Sequence, residues 1–434
     1  MLTICSLPVR QRNAALRMLG LPALPRKLPS RNWLIFWTLS TTISAAIIYD
    51  RREKRRATAK WARAVSHLAA EPLPAGPSSM PRKITVYLEA PPGDGLRVAQ
   101  DHFAEYIKPV LAGSGIDWDF VVGRRQGDVR AAVAERVRRT RRDVEKDLLG
   151  RDVGDEAQLP TEQDAIEAIR KRNGIAEYDG VRGDVVVGRH TWKEYVRGLH
   201  EGWLGPLAPP PEPEPLPAPE TPEGEKPEEA EAKPKTPPQP RPHNKPEQYP
   251  SEPLPMFIPA ELGPATPVRF PHILGFLNTP TRMRRFFGRR YLADEIGREV
   301  AAVCFCTYRE FRETPGDSHE YEQEGALARE EKDWLKSVWK EEKPEPAKEG
   351  EVQKVEEPKE RIWASPMVLD PRIAGRMRRF EITPEDEERA RRVVVPEEEI
   401  EGWTKGSIRS LWRWGARKWK GDAWQPNVGN LDDE

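Results

Sequence analysis

The sequence predicts an α/β protein carried on a single membrane-spanning helix near its N-terminus. Three observations predict it. Trp33 to Tyr49 are seventeen uncharged residues, with Arg31 before them and the run DRREKRR after them. Between residues 82 and 205, strand-like and helix-like segments alternate three times, the pattern of a parallel sheet with right-handed crossovers. Residues 206–255 then hold 19 prolines among Glu, Lys and Ala. Such a stretch cannot bury enough apolar surface to offset its ordering entropy.

The predicted helix at 33–49 is about 25 Å long at 1.5 Å per residue, slightly short of a hydrocarbon core of about 30 Å. Trp33, Trp37 and Tyr49 suit the two interfaces, and Arg31 and Arg51 can snorkel outward. Thr38, Ser40, Thr41, Thr42 and Ser44 weaken the hydropathy, but their hydroxyls can bond back to helix carbonyls. A cleavable signal would have a shorter apolar core and a small-residue site after it. The charged run that follows instead favours an uncleaved anchor. Residues 1–32 carry Arg10, Arg12, Arg17, Arg26, Lys27 and Arg31 and no acid, the pattern of a mitochondrial targeting segment. Residues 51–63 carry seven basic residues and one acidic, so positive charge alone leaves the orientation open. An energised inner membrane pulls a cationic tail toward the matrix, at about 2.3 kcal/mol per charge per 100 mV. The expected arrangement is a basic matrix-facing tail (1–32), the span (33–49), a basic juxtamembrane connector (50–81) and the bulk of the chain in the intermembrane space.

In the α/β block, 82–205, RKITVYLEA reads as the first strand. RVAQDHFAEYIKPVLAGSG is the helix after it, with Val98, Phe103, Tyr106, Ile107, Val110 and Leu111 near helical spacing. IDWDFVVG is the second strand. GDVRAAVAERVRRTRRD is the second helix, with Val129, Ala132, Val133 and Val137 on one face. GDVVVG and TWKEYVRGLHEGWL complete the third pair. Ligands of such folds sit at the carboxyl ends of the strands. Two loops qualify: APPGDGL, with Gly93 and Gly95, and GRHT, with Gly188, Arg189, His190 and Thr191. Their glycines would let backbone N–H groups approach a phosphate, yet neither loop is a Walker or GxGxxG sequence. Plain tight turns remain the alternative.

This order of strands, turns and helices resembles the catalytic domain of diacylglycerol-kinase-like lipid kinases. There the third strand ends in GGDGT, followed by a helix reading xxExxNGL. The chain keeps Gly188, Thr191, Glu194, Gly198 and Leu199, but has Val187, Arg189 and His190 where the family has Gly, Asp and Gly. The resemblance implies a lipid-kinase-like shell whose catalytic loop is degenerate: no catalytic residue and no cofactor-binding residue, only loop remnants.

The stretch 206–255 reads as a disordered, extended Pro-rich linker. A second α+β region covers 256–339. In it ADEIGREVAAVCF is a helix or a strand, and EEKDWLKSVWKEE is one charged helix with Trp334, Leu335, Val338 and Trp339 inward. A disordered charged run covers 340–360, and a C-terminal region 361–434. In that region Ile408, Leu411, Trp412, Gly415 and Trp419 share one helical face, and Arg409, Arg413, Arg417 and Lys420 another. Arg409, Trp412, Arg413, Arg417, Trp419 and Lys420 would contact an anionic, cardiolipin-rich membrane surface. Packing of the Trp stripe onto the folded body is the alternative.

Composition narrows the function. Seventy basic and seventy acidic residues give no net charge, so nucleic acid is not an expected partner. Three cysteines exclude a disulfide framework. Cys304 and Cys306 read as two small residues on a strand. No helix pairs a carboxylate and a histidine at ligand spacing, so no metal site is expected.

The segments LPSRNWLIFWTLSTTISAAIIYDRREKRRATAKW, MPRKITVYLEAPPGDGLRVAQDHFAEYIKPVL, GRRQGDVRA, PHILGFLNTPTRMRRFF, RRYLADEIGREVAA and MVLDPRIAGRMRRFEI together resemble the Tim fifty-four family, fungal subunits of the mitochondrial inner-membrane carrier translocase. The resemblance implies a single-pass inner-membrane protein with its large domain in the intermembrane space. It implies a non-enzymatic scaffold that supports insertion of polytopic carrier proteins. Its partners would be the channel subunit and other subunits of the complex, the small intermembrane-space chaperones and the imported carriers. A weakly active or inactive lipid- or nucleotide-binding protein is the alternative.

Overall fold

The computed structural model describes residues 30–73, 76, 79–149, 162–175, 178–210, 239–312, 321–340, 360–400, 406, 409–412, 414 and 415. Residues 1–29 of the basic tail, the expected linker at 211–238 and most of the charged run, 341–359, lie outside the described residues. The chain divides into two units, residues 1–50 and residues 51–434.

In the first unit the helix α1 (Arg31–Val65) begins. Trp33, Trp37 and Tyr49 are all exposed, and the Trp33 and Trp37 rings stack at 6.3 Å. The Thr38 hydroxyl donates to the Ile35 carbonyl at 2.9 Å and the Thr42 hydroxyl to the Thr38 carbonyl at 2.7 Å. Both are thereby satisfied within the helix, as a hydrocarbon environment demands. Among the described residues α1 is the one helix long and apolar enough to cross a membrane.

The second unit is built on one six-stranded sheet. Its strands are β1 (Lys83–Glu89), β2 (Asp117–Gly123), β3 (Asp184–Val187), β4 (Ala265–Val268), β5 (Tyr308–Glu310) and β6 (Arg378–Phe380). Their order across the sheet is β2-β1-β3-β4-β6-β5. All neighbours are parallel except β5 and β6. After β1 come α2 (Leu96–His102) and α3 (Lys108–Ser114), joined by one π turn, Phe103–Ile107. Pro109 has no N–H to close the ordinary turn there, which accounts for the wider one. The other main helices are α4 (Asp128–Leu149), α5 (Glu162–Arg172), α6 (Arg189–Leu204), α7 (Thr279–Phe286) and α8 (Arg289–Phe305). Short helices follow: α9 (Glu322–Gly325), α10 (Ala328–Glu331), α11 (Lys336–Trp339), α12 (Pro371–Ala374), α13 (Pro384–Arg392) and α14 (Glu397–Ile400).

Strand alternation explains the layers, because successive side chains point to opposite faces. Ile84, Val86, Leu88, Val185 and Val187 face one core with Phe103, Ile107, Val110 and Leu111, with Ile296, Val300 and Val303 of α8, and with Trp61, Ala64 and Val65 of α1. Tyr87 and Val186 face the other, with Val129, Val133 and Val137 of α4 and Trp192, Tyr195, Val196 and Leu199 of α6. Two glycines set the approach of α6 to α4. A Cβ on Gly198 would stand 2.6 Å from the Arg130 carbonyl, and one on Gly202 2.6 Å from the Val137 Cβ. The Arg51–Val65 half of α1 belongs to this packing. The Trp61 indole lies on Gly297, where no Cβ has room, and donates to Asp294 at 2.8 Å.

Four findings depart from the sequence expectations. The strands beyond residue 255 do not form a sheet of their own; β4, β6 and β5 extend the first sheet, because β4 pairs with β3. Residues 239–255, expected as disordered linker, pack onto the body. Tyr249 is 1% exposed, stacks on His200 and takes the Arg197 guanidinium over its ring. The expected single helix around 331–339 is two, α10 and α11, and Trp339 is exposed. Leu335 between them is extended and covers Gly93. Finally, Cys304 is buried in α8 and Cys306 ends that helix in the left-handed conformation (φ 60°); neither lies on a strand. The ambiguous ADEIGREVAAVCF is helix, within α8.

Candidate functional site: the carboxyl edge of the sheet

The loops after β1, β3 and β4 meet at the carboxyl edge, where a fold of this kind holds an anion. Gly188 caps α6 at φ 90° and ψ 156°, a conformation that requires glycine. Its N–H goes to the Val268 carbonyl at 2.9 Å. The next N–H, of Arg189, is the first free donor of α6. It donates to Glu330 Oε2 at 3.0 Å, while Phe270 N–H donates to Glu330 Oε1 at 2.7 Å. A carboxylate of the chain itself thus fills the position of a ligand phosphate. Burial pushes the Glu330 carboxyl up to about 7, against the pull of these two N–H groups.

Arg189 and His190 are both buried. The Arg189 side chain turns away from the helix axis, donating to Glu331 at 2.7 Å and to the Ala326 carbonyl at 2.7 Å. Lys193 joins the same carboxylate at 3.1 Å and donates to the Trp363 carbonyl at 2.7 Å. His190 Nε2 donates to the Glu89 carbonyl at 3.2 Å. Burial holds this imidazole neutral by lowering it to about 4. Thr191 is wholly buried. Gly93 (φ 85°) is roofed by Leu274 and Leu335, and Gly95 caps α2. Of the loop residues singled out in the sequence, Arg189, His190 and Thr191 are therefore buried, whereas Gly93 and Gly95 lie at the surface, Gly95 with open space where a Cβ would stand.

A second helix start is filled in the same way. Glu194 accepts from Gly127 N–H at 2.7 Å and from Arg130 N–H at 3.2 Å, at the beginning of α4, and from the Trp363 indole at 3.0 Å. Glu89 lies beside it, wholly buried. Burial first, then the neighbouring Glu194 charge, raise the Glu89 carboxyl well above the usual carboxylate range, and burial raises Glu194 as well. Behind α6, Glu201 pairs with Arg130 and with Arg138 (2.5 Å), all three buried. Burial opposes its charge, but Arg130, Arg197 and Arg138 together hold Glu201 below the usual carboxylate range.

Glu330 and Glu331 carry no recognisable signal in the sequence, because their contacts to the ends of β3 and β4 span sixty residues or more. Glu194 stood out only as a remnant of the lipid-kinase pattern. A cleft of about 630 Å³, lined by Arg136, Tyr195, Leu199, Trp203 and Phe257, opens at the later turns of α4 and α6, away from this edge. Among the described residues no group of three His, Cys, Asp or Glu could hold a metal. Of the expected lipid-surface residues, Arg409 lies 4.0 Å from Glu397 and Trp412 is exposed on a helical turn. Arg413, Arg417, Trp419 and Lys420 lie outside the described residues.

Fold and site define a class: an α/β protein with, among the described residues, one candidate membrane helix, whose sheet edge is closed by its own carboxylates. The chain belongs to the family described as inner membrane protein import complex subunit Tim54, whose model matches residues 13–226 and 215–380. It is 60% identical to the mitochondrial import inner membrane translocase subunit tim54 of Neurospora crassa, over 94% of this chain and 89% of that one. It is 40% identical to the protein of the same name from Aspergillus oryzae, over 95% and 99% of the two chains. The Schizosaccharomyces pombe protein of that name is 33% identical, over 79% and 91%.

Proposed function

We propose that the chain is a non-enzymatic scaffold subunit of the mitochondrial inner-membrane carrier translocase. Residues 33–49 anchor it once, with the N-terminus in the matrix and the folded body in the intermembrane space. There it supports insertion of polytopic carriers, holds the channel subunit and other subunits of the complex, and docks the small chaperones that deliver substrate. The observation that carries the non-enzymatic part is Glu330 on the Arg189 N–H. A phosphate could bind there only by displacing a carboxylate that two backbone donors hold. The parallel strands and their glycine turns support a lipid-kinase-like shell, and the closed edge supports its loss of chemistry.

Deleting residues 33–49 tests the scaffold. The expected result is release of the chain from mitochondrial membranes and loss of the carrier translocase on native gels. An intact complex without the segment contradicts the proposal.

A further inference from the structure

The segment between β4 and α8 presents an apolar tip with a basic flank. Phe276 and Leu277 are each 89% exposed, the most of any large apolar residue described, and Met283 and Tyr291 are also exposed. Residues 273–290 carry Arg282, Arg284, Arg285, Arg289 and Arg290 and no acid. The segment is held on its inner side. Asn278 donates to the Leu274 carbonyl at 2.8 Å, Arg285 pairs with Asp333 at 2.8 Å, and Leu274 packs over Gly93.

Its place in the second unit is informative. The Arg51–Val65 half of α1 lies along α2–α3 and α8. Lys54 pairs with Glu105, Ala62 meets Gly113, Lys60 and Trp61 reach Asp294, and His67 stacks on Phe305. Numbers rise together in all three, so these helices run in one direction. Because α8 returns from the carboxyl edge, Arg51 and the Phe276–Arg290 segment stand at the same end. Arg52 pairs there with Glu397 at 2.5 Å, and Arg409 is 4.0 Å from that carboxylate, which brings the exposed Leu411 and Trp412 to this end as well. In sequence, the apolar stretch 33–49 ends just before Arg51.

We propose that residues 276–290 are a peripheral membrane contact, in which Phe276 and Leu277 enter the interface of an anionic bilayer and Arg282 and Arg284 meet its phosphates. An exposed apolar pair beside cations and without acids is what such an interface selects. The occupant is the bilayer that 33–49 crosses, so the inference rests on that anchor.

The test uses the full chain reconstituted in phosphatidylcholine vesicles with and without cardiolipin. Cys5→Ser and Cys306→Asn remove competing thiols; Cys304 is buried. An environment-sensitive dye is placed at Leu277→Cys, or at Asp117→Cys on the opposite, amino end of the strands. The expected result is quenching by nitroxide-bearing lipids at position 277, stronger with cardiolipin, none at 117, and loss of most of it in Arg282→Glu/Arg284→Glu. Equal quenching at both positions in a chain that resists carbonate extraction overturns the contact and leaves the anchor standing. A chain extracted by carbonate overturns both. In native membranes, a photocrosslinker at Phe276 should yield lipid adducts; protein adducts alone overturn the proposal.

Discussion

Glu330 Oε2 accepts the N–H of Arg189 at 3.0 Å, and this one contact closes the start of α6. The same carboxyl accepts from Phe270, so the ends of β3 and β4 are tied to α10 through a single side chain. The edge where open α/β sheets commonly hold an anion is here an internal joint.

That joint predicts a pH dependence. The Glu330 carboxyl rises from 4.5 to about 7 in the folded chain. The folded state therefore binds the extra proton between these values, and stability falls as pH rises through that window. The effect is on the order of 3 kcal/mol, from about 1.4 kcal/mol per unit. In denaturant titrations at successive pH values, Glu330→Gln should flatten this slope relative to the parent. An unchanged slope would place the proton elsewhere.

Glu201 predicts a different kind of loss. Glu201→Ala removes the nearest carboxylate of buried Arg130 and Arg138, leaving the longer carboxylate contacts to Glu360 and Glu135, which should cost about 3–5 kcal/mol. Urea unfolding of the body measures it. A loss below 1 kcal/mol would mean that the two guanidiniums find other acceptors or reach water.

Within the second unit, the packing of the Arg51–Val65 half of α1 rests on Gly297. Gly297→Val pushes a side chain into the Trp61 indole. The expected cost is about 2–3 kcal/mol of overpacking, with Trp61 fluorescence shifted toward that of an exposed indole and with earlier protease cleavage after Lys60 or Arg63. Unchanged cleavage and stability would show that the Trp61 contact is dispensable.

Much of this fold was legible in the sequence where the signal is local. RKITVYLEA and GDVVVG alternate or run apolar in the way buried parallel strands require, and both are strands where expected. The hydroxyls of Thr38 and Thr42 bond back along α1 as foreseen. What escaped is long-range. β5 and β6 are three residues each, too short for a period, and they become strands by pairing. Tyr249 sits among prolines that suggest an extended linker, yet the His200 ring and Arg197 offer it a buried seat. Arg189 and His190 stand out in the sequence, where the lipid-kinase pattern has Asp and Gly; their partners Glu330 and Glu331 do not, because acid-rich helices usually face water.

The central claim is that the carboxyl edge is closed to nucleotide. Its most direct test is titration of the full chain in lipid nanodiscs with Mg-ATP, alongside an assay for acylglycerol phosphorylation. The expected result is no saturable heat of binding, no rise in Tm and no phosphorylated lipid. Saturable binding that weakens on substitution of Arg189 or His190, or any turnover, would contradict it.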